Sequence, residues 1–132
     1  MKIVYTCFCT DVIHEGHMNI IHEAKKYGRV VVGVLSDEAS IRFNRFPGVS
    51  FTERINMVKS IPGVDEVIIQ NKVMYDEIIE KLHPDYVIHG DNWLEPPMRA
   101  IRDNVSTLLK EYGGKIIDVP YTYSEEIRHI DA

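Results

Sequence analysis

The chain has 132 residues, 45% of them hydrophobic, which suits one soluble globular domain and excludes a disordered or fibrous chain. A formal net charge of −5 excludes a general nucleic-acid binder, which needs a basic surface, while leaving room for a local basic pocket for one nucleotide. No apolar run approaches the ~20 residues of a membrane span, and Met1-Lys2-Ile3-Val4-Tyr5 enters a strand-like run without a signal-peptide pattern, so a cytoplasmic protein is expected.

The first predicted element is a strand at Ile3–Tyr5. Ile20, Ile21, Ala24 and Tyr27 then make a helical stripe that ends at Gly28. A second apolar run, Val30–Leu35, is followed by a short helical stretch at Asp37–Arg42. Ile55, Val58 and Ile61 make the next stripe, opened by a Ser50/Glu53 capping box and stopped by Pro62-Gly63. Strand-like Val67–Ile69 leads to a helix carrying Ile78, Ile79 and Leu82, which ends before Pro84. Tyr86–Ile88 is the fourth strand run. A helix on Ile101, Val105, Leu108 and Tyr112 starts near Pro96-Pro97 and ends at Gly113-Gly114. Ile116–Val119 is the fifth strand run.

These runs are continuous rather than alternating, as in strands buried on both faces. Strand and helix take turns, which predicts an α/β fold: a doubly wound, Rossmann-like, parallel five-stranded sheet with helices on both faces, in one domain over 1–132. Ligands in such sheets bind outside the carboxyl ends of the strands, and strands one and four are candidates for neighbours at the switch point.

Three segments carry chemistry at those ends. Asp11-Val12-Ile13-His14-Glu15-Gly16-His17 lies where the first strand hands over to a helix. A helix start presents unpaired N–H groups and the positive end of the macrodipole, so it favours phosphate. His14 and His17 add donors that can carry charge near neutral pH, and Gly16 allows close backbone approach. Arg42-Phe43-Asn44-Arg45-Phe46-Pro47-Gly48 is a loop with two arginines, and Arg54 sits in the first turn of the following helix. Arginine's planar fork pairs with two phosphate oxygens, although solvated surface charge gives the same pattern. His89-Gly90-Asp91-Asn92-Trp93 follows the fourth strand run as a turn with a tryptophan. Cys7 and Cys9, two apart on a strand, read as small residues at a strand end, with a metal or redox role as the other reading.

His14-Glu15-Gly16-His17, the basic loop and Gly90-Asp91-Asn92-Trp93, in this order, resemble the H-x-G-H cytidylyltransferases of the nucleotidyltransferase superfamily. Glycerol-3-phosphate cytidylyltransferase is one member that the chain is similar to. Tyr5-Thr6, Thr10-Asp11, Phe46-Pro47, Val87-Ile88-His89-Gly90-Asp91 and Val119-Pro120-Tyr121-Thr122 narrow the resemblance. They look like the cytidylyltransferase domains fused to phosphoenolpyruvate mutase in phosphonate biosynthesis. The resemblance implies that His14 and His17 contact the nucleoside triphosphate phosphates and that Arg54 binds phosphate. It also implies that Arg42 and Arg45 belong to a loop closing over substrate, and that the Gly90–Trp93 turn recognises cytosine. Lys25 resembles a family lysine, with a solvated stem as the alternative. Asp11 is a candidate to orient a histidine or to hold Mg2+ through water, with a turn cap as the alternative. No direct metal ligand is expected; Mg2+ accompanies the triphosphate.

Two segments depart from the family pattern. Phe8-Cys9-Thr10-Asp11 stands where G-T-F-D is usual, which leaves triphosphate contacts to the backbone or Thr10. Pro120–Arg128 stands where R-T-x-G-I-S-[ST]-T is usual. There Thr122 with Glu125 reads as a capping box, Ser124 supplies a hydroxyl and Arg128 stands in for the missing arginine. The expected reaction moves CMP from CTP to a small phosphonate or phosphate acceptor, best 2-hydroxyethylphosphonate, with release of pyrophosphate. Glycerol-3-phosphate or phosphocholine as acceptor, adenylyl transfer, and a degenerate regulatory domain are the alternatives. A homodimer is expected from the resemblance. Ala132 falls inside a charged, helix-like segment, so a longer chain is expected, with a natural end as the alternative, and a fused phosphoenolpyruvate mutase domain is what the resemblance implies.

Overall fold

The computed structural model describes residues 2–8, 13, 15–42 and 48–120. Five strands, β1 (Ile3–Phe8), β2 (Arg29–Leu35), β3 (Glu66–Gln70), β4 (Tyr86–Gly90) and β5 (Lys115–Val119), form one sheet in the order β3-β2-β1-β4-β5. Every pairing is parallel. Between them run α1 (Glu15–Ala24), α2 (Asp37–Arg42), α3 (Phe51–Lys59), α4 (Asp76–Leu82) and α5 (Arg99–Lys110). The expected doubly wound α/β architecture is therefore the observed one. β1 and β4 are neighbours, and the strand order reverses between them.

β1 runs three residues beyond its aliphatic part. Thr6, Cys7 and Phe8 continue the strand because they pair with Val32, Gly33 and Val34. Ser50 caps α3, its Oγ accepting from the Glu53 N–H at 3.2 Å, as the capping box predicts. α4 stops at His83, which takes the left-handed conformation (φ 46°) before Pro84. Gly90 was expected to open a simple turn. Instead it closes β4, and Asp91–Leu94 forms a single 3-10 turn.

The sheet separates two cores. On one face α1 and α3 pack Ile21, Ala24 and Val58 against Val4, Phe8, Val30, Val32, Val34 and Ile88. On the other, α4 and α5 pack Ile78, Ile79, Ile101, Val105 and Leu109 against Tyr5, Val31 and Val87, with Tyr75 and Trp93 among them. Alternation along β1 produces the split: Val4 and Phe8 join the first core, Tyr5 and Cys7 the second. Gly33 is required on the second face. A Cβ there would lie 1.8 Å from Tyr5 Oη, so a side chain would displace the phenol. Tyr5 Oη instead donates to Gln70 Oε1 at 2.6 Å, tying β1 to the end of β3. Burial pushes the Tyr5 phenol pKa well above its ordinary value. No helix among the described residues is long and apolar enough to cross a membrane.

Candidate active site

The reversal of strand order opens a crevice at the carboxyl ends of β1 and β4. α1 begins on one side of it. Gly16 and His17 lie buried in the first turn of α1, at the positive end of the helix dipole, which favours an anion. The His17 ring stands edge-on to Phe8, centroids 4.5 Å apart, and its residue is 8% exposed, so the imidazole is held rather than solvated. The candidate residues His14, Thr10, Asp11, Arg45, Thr122, Ser124 and Arg128, with Cys9, lie outside the described residues. Arg42 ends α2.

The turn after β4 forms the other side. Gly90 hands over to Asp91, Asn92 and Trp93. Trp93 is fully buried and its Nε1–H donates to Asp118 Oδ1 at 2.7 Å. Asp118 also accepts from Arg102 Nε at 3.1 Å and from Nη2 at 2.7 Å. The Arg102 guanidinium holds the Asp118 carboxyl below its usual pKa, and the carboxylate raises that of Arg102 in return. The His89 ring stacks on the indole, centroids 4.2 Å apart and planes 10° apart. Its Nδ1 lies 2.8 Å from Gly90 O; a carbonyl only accepts, so Nδ1 carries the proton. Burial pushes the His89 pKa down, which keeps the ring neutral. Asn92 Oδ1 is buried with no partner among the described residues. An unpaired buried acceptor costs about 1–3 kcal/mol, so it is a natural place for a ligand donor.

Two candidates stand elsewhere. Arg54, the candidate for phosphate, is 1% exposed; both Nη atoms are engaged by the protein, while its buried Nε has no partner among the described residues. Nη1 donates to Leu35 O at 2.9 Å and Nη2 to Asp37 Oδ1 at 2.5 Å. It ties α3 to the junction of β2 and α2. Lys25 lies farther from those strand ends. Its Nζ pairs with Asp65 at 2.8 Å, and Asp65 also accepts from the Val30 N–H at 2.8 Å, at the start of β2. That is the amino edge of the sheet, about 16 Å of strand from the carboxyl edge at ~3.3 Å per residue.

Asp118, Arg102 and Gln70 were not expected from sequence as members of this region, and His89 stood in the expected turn segment without a role of its own. A lone carboxylate inside the apolar run Ile116–Val119 was the available signal for Asp118. Arg102 and Gln70 carry no local signal. Among the described residues no three or more His, Cys, Asp or Glu side chains gather to hold a metal ion.

A model of the cytidylyltransferase-like family matches residues 4–129. The bifunctional protein HldE of Desulfatibacillum aliphaticivorans is 30% identical over 122 residues, covering 90% of this chain and 24% of that protein. An ethanolamine-phosphate cytidylyltransferase of Arabidopsis thaliana is 38% identical over 95 residues, 67% of this chain and 23% of that protein. The chain thus spans about a quarter of the length of these curated relatives. Among solved structures, the lipopolysaccharide core biosynthesis protein from Thermoplasma volcanium GSS1 superposes with a TM-score of 0.74 at 20% identity. That match covers 95% of this chain and 99% of the other, and shows a shared fold.

Proposed function

The chain belongs to the cytidylyltransferase-like family, and on that premise we propose that it transfers CMP from CTP to a small phosphonate or phosphate monoester, preferably 2-hydroxyethylphosphonate, releasing pyrophosphate. The observation that carries this reading is the pairing of two unlike features across one crevice. The buried first turn of α1, with Gly16 and His17, suits a triphosphate. The turn after β4, with a buried unpaired Asn92 Oδ1, suits a base that offers an amino hydrogen. Cytosine offers one at N4. The likeness to an ethanolamine-phosphate cytidylyltransferase keeps a phosphate monoester in the acceptor set beside the phosphonate.

In the reaction an acceptor oxygen, already anionic near neutral pH, attacks the α-phosphorus of CTP. One P–O bond forms there, the bond to the β-phosphate bridging oxygen breaks, and pyrophosphate leaves with the electron pair. No general base is required, so catalysis is positioning and charge stabilisation. His17, and His14 by the family resemblance, donate to phosphate oxygens as charge builds. Thr10, Asp11, Arg42, Arg45, Thr122 and Ser124 stand as further contacts on the same resemblance. The described residues form no cage for a divalent cation; Mg2+ bound by the triphosphate itself would offset its charge.

The test pairs each nucleoside triphosphate with each acceptor in the presence of Mg2+ and follows pyrophosphate release. Release with CTP and a small phosphonate, and not with ATP, is the expected result. ATP used as well as CTP would replace this reading with adenylyl transfer, and nucleotide binding without turnover would remove the enzyme reading.

A further inference from the structure

Trp93 anchors the turn that follows β4. The 3-10 turn Asp91–Leu94 is only four residues long, too short for its own backbone hydrogen bonds to fix its orientation. Its direction comes from the indole, which is fully buried in the α4/α5 core. Packing alone leaves that ring room to tilt. His89 stacks on it, but a cavity of about 50 Å³ opens beside the two rings, with Cys7, Gln70 and Tyr75 also in its lining. The hydrogen bond from Trp93 Nε1 to Asp118 Oδ1 at 2.7 Å removes the remaining freedom.

Asp118 is itself aimed. It pairs in register with His89, so the strand pairing of β4 and β5 sets it beside the start of the turn. Arg102, in the first turn of α5, grips both carboxylate oxygens, Nε on Oδ1 at 3.1 Å and Nη2 on Oδ2 at 2.7 Å. One carboxylate thus accepts three N–H groups. An amide in its place would turn its NH2 toward at least one of those donors. A charge inside the apolar run Ile116–Val119 is poor strand chemistry, and a partly buried ion pair adds little net stability because desolvation offsets the attraction. What the pair does supply is direction: it joins α5, β5 and the turn at a single point.

We infer that Asp118, aimed by Arg102, is a positioning residue for nucleotide recognition: through Trp93 it sets the direction of the Gly90–Trp93 turn, and so governs nucleotide affinity rather than the chemical step. This rests on the cytidylyl-transfer reading above, which gives that turn the base. It adds two residues, Asp118 and Arg102, that have no place in that reading.

The experiment measures kcat and the separate KM values for CTP and for 2-hydroxyethylphosphonate, on variants whose urea midpoints show them folded at assay temperature. Asp118→Asn should raise KM for CTP about tenfold, with kcat and the acceptor KM within about threefold of the unmodified protein. Arg102→Lys, which keeps the charge but loses the planar fork, should raise KM for CTP about threefold and carries the same test if Asp118→Asn does not fold. Trp93→Phe removes the N–H, so in that background Asp118→Asn should change KM for CTP by less than about twofold. An unchanged KM for CTP in the folded Asp118 and Arg102 variants would overturn the inference while leaving cytidylyl transfer intact. So would kcat and both KM values moving together, or an Asp118→Asn effect undiminished in the Trp93→Phe background. No pyrophosphate release by the unmodified protein would instead remove the parent reading and the inference with it.

Discussion

The two faces of the sheet are built on different principles. The α1/α3 face is mostly aliphatic, with its valines and isoleucines under two helices, and its candidate ligand site is a local device, the first turn of α1. The α4/α5 face is aromatic and hydrogen-bonded. Gln70, Tyr75, His89 and Trp93 come from separate stretches of chain and form one lining only after the sheet has assembled, with Tyr5 hydrogen-bonded to Gln70 and edge-on to Tyr75. A phosphate is held by backbone that any helix start provides. A neutral organic group has to be recognised by shape and by a few placed atoms, which needs many elements at once.

The contrast can be broken most strongly on the local face. His17→Asn should lower kcat by about 10²–10³, the usual loss for one phosphate-stabilising donor, with the circular dichroism spectrum retained. An unchanged rate would remove His17 from the chemistry. On the other face, Gly33→Ala sets a Cβ against Tyr5 Oη and should destabilise the fold by about 3 kcal/mol in urea unfolding. Adding Tyr5→Phe should recover part of that loss, because the overlapping hydroxyl is gone.

Arg54 tests whether a basic residue near the crevice binds ligand or builds it. Arg54→Met should cost about 2 kcal/mol of stability, since Leu35 O loses its buried donor. In variants still folded at assay temperature, KM for CTP should change less than threefold. A large KM increase without destabilisation would return Arg54 to the phosphate.

Within the aromatic face the pH dependence separates two groups of the same sign by their windows. His89 is depressed by burial, so its contribution is complete above its unfolded pKa of about 6.5 and is lost as pH falls below it. Asp118 is depressed by Arg102, so its contribution is complete above about pH 4 and lost below that. Urea midpoints should therefore decline in two steps on acidification, and His89→Gln should remove the first alone. The smallest effect is expected at the opposite edge of the sheet. Lys25→Ala breaks a solvent-exposed pair with Asp65, should cost no more than about 0.5 kcal/mol and should leave turnover unchanged.

The architecture was legible because its signals are local and periodic. Five apolar runs became five strands, and the Ser50/Glu53 pattern capped α3. The candidate phosphate end rests on an equally local signal, since His14-Glu15-Gly16-His17 is contiguous. What could not be read depends on contacts across long sequence separations. Asp118 holds Trp93 from 25 residues away, and Gln70 receives Tyr5 from 65 residues away. Arg54 and Lys25 show another limit of the local signal. An arginine in a first turn and a lysine on a helix look alike in sequence whether they face ligand or protein. Only burial and the position of Leu35, Asp37 and Asp65 separate the two.

The most direct test is phosphorus NMR of the reaction of the protein with CTP, Mg2+ and 2-hydroxyethylphosphonate. A new mixed-anhydride resonance pair, growing with pyrophosphate and absent with His17→Asn, is the predicted result. CTP left intact, or cleaved to CMP with no anhydride formed, would contradict cytidylyl transfer by this chain.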